Sequence, residues 1–189
     1  MNKFSAAVIF ASPHSGGNCS RILSSFLDKI IFPLEIQTFN AYNLSPLPCI
    51  DCGYCKNTEQ CAFHDLDELF SSIESCDLLI IVSPVYNMSF PSPMKAILDR
   101  FQRYFNARFS MNIRPAIKKH RKAVLLSAAG SDKETGDILI QQLQQSFSVM
   151  NTDLIAHAVI NGLDNSQFNA DDEKIIHCAI ETNRSLSTF

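Results

Sequence analysis

Four cysteines, Cys49, Cys52, Cys55 and Cys61, fall in one short stretch with the pattern C-x2-C-x2-C-x5-C. Thiolates are soft ligands, and four of them from one loop can gather around one metal group. A structural zinc site usually separates its ligand pairs by about a dozen residues or more, so this spacing suits a cluster better than a lone ion. Four reduced thiols holding nothing form the third alternative, and spacing alone leaves all three open. A second stretch, Ser12-Pro-His-Ser-Gly-Gly-Asn-Cys-Ser20, is built of small residues and runs into an amphipathic segment. Its backbone N–H groups would meet an anion at a helix N-terminus, with Ser12, Ser15, Asn18 and Ser20 adding side-chain donors. No Gly-Lys-Ser/Thr follows, so it is not a Walker loop, and an ordinary capped turn is the plainer alternative. Ser83-Pro-Val-Tyr-Asn-Met-Ser-Phe-Pro-Ser-Pro93 is a stiff, partly aromatic loop suited to covering a flat heterocycle. Ser127-Ala-Ala-Gly-Ser131 is a third small-residue loop. A phosphate joined to a planar ring is the economical ligand for the three together.

The elements that must position these loops follow from hydrophobic spacing. Ala6 to Ala11, Leu34 to Phe39, Leu78 to Val82, Ala123 to Leu126 and Leu154 to Ile160 are short and mostly apolar, as strands buried on both faces are. Helical spacing occupies Ser20 to Ile31, Leu66 to Ile73, Pro93 to Phe105, Asp137 to Met150 and Asp171 to Leu186. Asp65 and Ser92 stand where N-caps belong, the second followed by a proline suited to the first turn. Five β-α units predict an α/β fold, a doubly wound parallel sheet with helices on both faces. In such a sheet ligands bind beyond the carboxyl ends of the strands, where all three loops leave. The long irregular stretches are Asn40 to His64, which holds the cysteines, and Asn106 to Arg121.

Taken together, Ser12-Pro-His-Ser-Gly-Gly-Asn-Cys, Pro48-Cys-Ile-Asp-Cys-Gly-Tyr-Cys with Cys61, Ser83-Pro-Val-Tyr and Lys95…Asp99-Arg100 resemble the flavodoxin-fold NAD(P)H-dependent FMN reductases. The nearest likeness is to their iron-sulfur flavoprotein branch, and it runs from about Ala6 to about Gly136. The resemblance implies FMN, its phosphate at Ser12, His14, Gly17, Asn18, Cys19 and Ser20. The ring would lie against Pro84, Val85, Tyr86, Asn87 and Met88, and against Ala129, Gly130 and Ser131. NAD(P)H is implied as co-substrate, and Cys49, Cys52, Cys55 and Cys61 as ligands of a [4Fe-4S] cluster. His14 stands where the family often has a basic residue, and Cys19 where it often has Thr. A neutral imidazole and a thiol are weaker phosphate partners than a guanidinium and a hydroxyl, so looser FMN binding is expected. Beyond Ser131 the loop turns acidic at Asp132 and Glu134.

The 189 residues carry 16 Lys and Arg against 19 Asp and Glu, a net charge of −3. That lacks the basic stripe of a nucleic-acid binder. The densest basic run, Arg114 to Lys122, reads as a solvated connector. With no membrane-length apolar run and no secretory pattern, one cytoplasmic domain is expected. Seven cysteines there argue against a disulfide framework. His120, His157 and His177 receive no role, His64 and Cys76 read as bystanders, and Cys178 reads as core. Phe101, Tyr104, Phe105 and Phe109 carry more apolar surface than one helix face needs and suggest a subunit interface, hence a homo-oligomer. The expected function is electron transfer from NAD(P)H through FMN to a small-molecule or protein acceptor. The alternatives are a carrier between a ferredoxin-like donor, the cluster and FMN, and a flavin-binding module without turnover.

Overall fold

The computed structural model describes residues 3–131 and 135–189. The apolar runs become strands β1 (Phe4–Phe10), β2 (Leu34–Asn40), β3 (Leu78–Pro84), β4 (Arg121–Ala128) and β5 (Thr152–Ile160). Every neighbouring pair is parallel, in the order β2-β1-β3-β4-β5. The helices are α1 (Asn18–Asp28), α2 (Ala41–Leu44), α3 (Asp67–Ser75), α4 (Ser92–Arg100), α5 (Gln102–Phe109), α6 (Asp137–Phe147) and α7 (Glu173–Leu186). None of the described helices is long and apolar enough to cross a membrane.

Alternation along each strand sends successive side chains to opposite faces. Ala6, Val8, Ile80, Val82 and Leu126 pack with Ile22 and Phe26 of α1 and Ile175 and Cys178 of α7. Ala7, Ile9, Leu79, Ile81 and Leu125 pack on the other face with Phe70 of α3, Met94 of α4, Tyr104 of α5 and Leu143 of α6. Two helix layers therefore bury β1, β3 and β4 on both sides, as their near-continuous apolar runs require. β2 departs from that expectation. It is one of the two edge strands, and Glu35, Ile36, Gln37 and Thr38 are exposed.

Three local expectations change. Asp65 does not cap α3, whose cap position is Leu66; its carboxylate is engaged by Arg100 instead. Ser92 is the first residue of α4, with Pro91 at the cap and no side-chain capping bond. The helix expected over Pro93 to Phe105 divides at Phe101, and α5 continues to Phe109. The basic run also does not stay solvated. Arg121 is fully buried at the start of β4 and Lys122 nearly so. The Arg121 guanidinium donates to the Lys119 carbonyl at 3.0 Å, and Lys122 donates to the Ser185 carbonyl and the Thr188 hydroxyl.

Candidate functional site

The chain direction around the sheet reverses between β1 and β3, and the loops leaving β1, β3 and β4 meet there. They enclose an open cavity of about 360 Å³ lined by Ser12, His14, Gly17, Asn18, Cys19, Pro84, Val85, Tyr86, Ala128, Ala129, Gly130, Leu163 and Asp164. The β1 loop closes on itself, since the Gly17 amide donates to the His14 carbonyl and the His14 amide to the Ser12 hydroxyl. A Cβ on Gly17 would come within 3.2 Å of the His14 Cβ, so a larger residue would have to spread the loop. Gly17 caps α1 without a side-chain hydrogen bond, which leaves the dipole end of the helix facing the cavity. Ser20 spends its hydroxyl on the Ser15 carbonyl at 2.6 Å, tying down the loop, and does not line the cavity. Cys19 is only 3% exposed. Burial pushes its thiol up to about 11, against the opposing pull of bonds with the Ser12 hydroxyl and the Ala128 backbone, so it is neutral near pH 7.

The β3 loop forms a tight hairpin in which Tyr86 and Ser89 exchange both backbone hydrogen bonds, each 2.9 Å long. Asn87 and Met88 occupy its tip with φ of 49° and 59°. Paired left-handed residues define a mirror-image turn, and a methionine there is under strain that only its surroundings can hold. The turn leaves Tyr86 half exposed on the cavity wall, with Asn87 and Met88 outside the lining. Tyr42 of α2 stands close enough that burial and its neighbour Tyr86 together raise its hydroxyl pKa. Leu163 and Asp164 were not foreseen. The amides of Gly162, Leu163 and Asp164 donate to the carbonyls of Ser131, Ala129 and Gly130, lacing the loop after β5 to the loop after β4. Gly162, at φ 74°, was the single sequence sign of that bend. Asp132 and Glu134 lie outside the described residues.

The cysteine loop is held separately. Cys49, Cys52, Cys55 and Cys61 line one cleft together with Gly53, Phe63, Arg100, Gln102 and Arg103. Gly53 turns the loop between the second and third cysteines at φ 76°, a conformation that suits glycine. Arg100 fastens both ends: its guanidinium, fully buried, donates to the Leu47 carbonyl, to the Phe63 carbonyl at 2.8 Å and to the Asp65 carboxylate at 2.9 Å. Asp65 in turn accepts from the Leu47 amide at 2.9 Å. Burial alone would raise the Asp65 carboxyl, but the Leu47 amide and the Arg100 cation outweigh it and hold the group below the usual carboxylate range. The Nδ2 of Asn106 on α5 donates to the Cys55 sulfur at 3.1 Å.

The family model for NADPH-dependent FMN reductase matches residues 5–164. The chain belongs to this family. Within it, the chain is similar to the iron-sulfur flavoprotein of Methanosarcina thermophila, 27% identical over 162 residues covering 85% of this chain and 78% of that one. It is also similar to an FMN-dependent NADH:quinone oxidoreductase of Haemophilus influenzae, 26% identical across 74% of this chain and 77% of that one. An oxidoreductase structure from Corynebacterium diphtheriae superposes with a TM-score of 0.68 at 17% identity, covering 99% of this chain and 98% of that one. That likeness is one of fold, and it matches the flavodoxin-like strand order.

For an FMN reductase, the two clefts can be tested by their chemistry. The switch-point cavity has a small-residue loop at a helix N-terminus on one wall and a half-exposed tyrosine on another, which suits a phosphate with a flat ring. No Lys or Arg lines it among the described residues. The cysteine cleft offers four thiols, and two arginines that line it have buried Nε atoms with no hydrogen-bond partner among the described residues. Four sulfurs beside spare cationic donors suit an anionic sulfur-rich group. No three His, Cys, Asp or Glu among the described residues are gathered as around one ion.

The remaining candidates separate. Cys178 is fully buried core. His64 pairs with Asp67 and His120 with Asp153, both on the surface. His157 and His177 line a cleft with Glu173 and Lys174 beside β5. Lys95 and Asp99 form the expected i,i+4 pair. Phe101 and Tyr104 belong to the core, while Phe105 and Phe109 stack on each other at 4.6 Å and remain exposed.

Proposed function

We propose that this chain is an iron-sulfur flavoprotein reductase that binds FMN at the switch-point cavity and passes electrons from NAD(P)H to a small-molecule or protein acceptor. The observation that carries the reading is the meeting of the β1, β3 and β4 loops around one cavity in a chain of the FMN reductase family. In this reading the first turn of α1, with Ser12, His14, Gly17 and Asn18, receives the phosphate. The Pro84–Val85–Tyr86 wall and the Ala129–Gly130 edge orient the ring and keep water from its inner face. When bound, FMN supplies the hydride and single-electron chemistry, and the protein supplies position and polarity. No side-chain acid or base is required. The four cysteines would hold the [4Fe-4S] cluster, and a reducing compartment would keep them free of disulfides for that role.

A carrier between a ferredoxin-like donor, the cluster and FMN is the second reading, favoured by the thiol-lined cleft. Stopped-flow mixing of the oxidised protein with NADH or NADPH under nitrogen separates the two. Rapid bleaching of the flavin band by either nucleotide supports the reductase. Bleaching only by a reduced ferredoxin supports the carrier.

A further inference from the structure

We propose that Asn106 is a positioning residue that acts through Cys55, donating an N–H···S hydrogen bond that raises the reduction potential of the cluster on the cysteine loop. The inference rests on the reading above that the loop binds such a cluster. Asparagine is a weak helix former, yet Asn106 sits inside α5 and is only 4% exposed. A buried amide is costly unless its hydrogen bonds are made. Here both ends are engaged: Nδ2 reaches the Cys55 sulfur at 3.1 Å, and Oδ1 accepts from the Ser110 hydroxyl at 3.3 Å. In this arrangement the amide oxygen takes the Ser110 hydroxyl and the nitrogen faces the sulfur.

A thiol sulfur is a weak acceptor, and a bond to it returns little for burying an amide. A metal-bound thiolate carries negative charge and accepts more strongly. Adding one electron to the cluster makes its thiolate sulfurs more negative still. A fixed N–H donor therefore stabilises the reduced form more than the oxidised form, and the potential rises; hydrogen bonds to the sulfurs are a recognised lever on such potentials. Arg100 and Arg103 line the same cleft, but both also hold the fold: Arg100 anchors the loop, and Arg103 pairs with Glu74 and lies over Phe70. Apart from Ser110, Asn106's side chain is committed to the sulfur, so its effect can be measured by itself.

The test uses anaerobically prepared full-length protein, assayed for iron and FMN and then titrated by electron paramagnetic resonance with dithionite and low-potential mediators. Asn106→Leu should retain iron and FMN while its cluster becomes about tenfold harder to reduce, equivalent to 59 mV for one electron. Asn106→Ser, with a hydroxyl donor on a shorter arm, should recover part of the shift, and Ser110→Ala should show a smaller drop than Asn106→Leu. The flavin midpoint should not move in any variant. If Asn106→Leu loses iron, the other two variants carry the measurement. A cluster midpoint equal to wild type in iron-replete variants overturns the role of Asn106 and leaves the cluster reading intact. Wild-type protein without iron overturns the cluster reading itself.

Discussion

At the scale of single residues, the switch-point cavity is shaped for a phosphate but poorly charged for one. His14 is the basic side chain on its wall, and Asp164 brings a carboxylate in from the opposite side. His14→Arg should therefore tighten FMN binding roughly threefold to tenfold by adding a permanent guanidinium, read by flavin fluorescence titration. Asn18→Glu should weaken it about tenfold by setting like charge beside the phosphate in a partly screened site. Unchanged affinity in Asn18→Glu would move the phosphate elsewhere. The Ser12 to Cys19 loop was legible in the sequence because a backbone that must approach an anion excludes large side chains, and that leaves a run of small residues. Asp164 was not legible, because it reaches the cavity through backbone bonds between two loops that are far apart in sequence and leave no side-chain pattern.

Among the elements, the split of the expected long helix into α4 and α5 matters most for the site. The break at Phe101 gives two short helices whose residues Arg100, Arg103 and Asn106 all meet the cysteine loop. Sequence spacing found the surface pair of Lys95 and Asp99 but not the burial of Arg100, since a lone arginine in a helix gives no sign of which loop will close over it. Arg100→Leu should cost about 3 to 5 kcal/mol, because it strands a carboxylate and two carbonyls, measured by urea unfolding, and should lower iron content before FMN content. The Asp65 carboxyl sits below its ordinary value, so its pair contributes fully above the unfolded value of about 4 and is lost as pH falls through the folded one. The stability difference between wild type and Asp65→Asn should therefore be flat from neutrality to about pH 5 and shrink below about pH 4. A difference that grows on acidification would contradict the pairing. At the far side of the sheet, a Cβ on Gly136 would come within 2.5 Å of one Val159 methyl and 3.0 Å of its Cβ. Gly136→Ala should cost about 1 to 3 kcal/mol without altering FMN affinity.

For the molecule as a whole, the sheet explains why both clefts exist. Parallel strands buried on both faces are readable as short apolar runs, and β1, β3 and β4 were found on that basis. Their order then sets the switch point between β1 and β3, and with it the meeting of three loops that are distant in sequence. The edge position of β2 was hidden because its run of apolar and polar residues resembles a buried strand until the sheet order is known. The cysteine loop grows from the end of β2 through α2, whose Tyr42 lies near enough to Tyr86 of the switch-point cavity for the two to interact electrostatically. The most direct measurement is the iron and FMN content of anaerobic wild-type and Cys52→Ser protein. The account predicts about four irons and one FMN per wild-type chain, with iron lost and FMN kept in the variant. Wild-type protein with FMN but no iron would contradict it, as would loss of both groups together on changing Cys52.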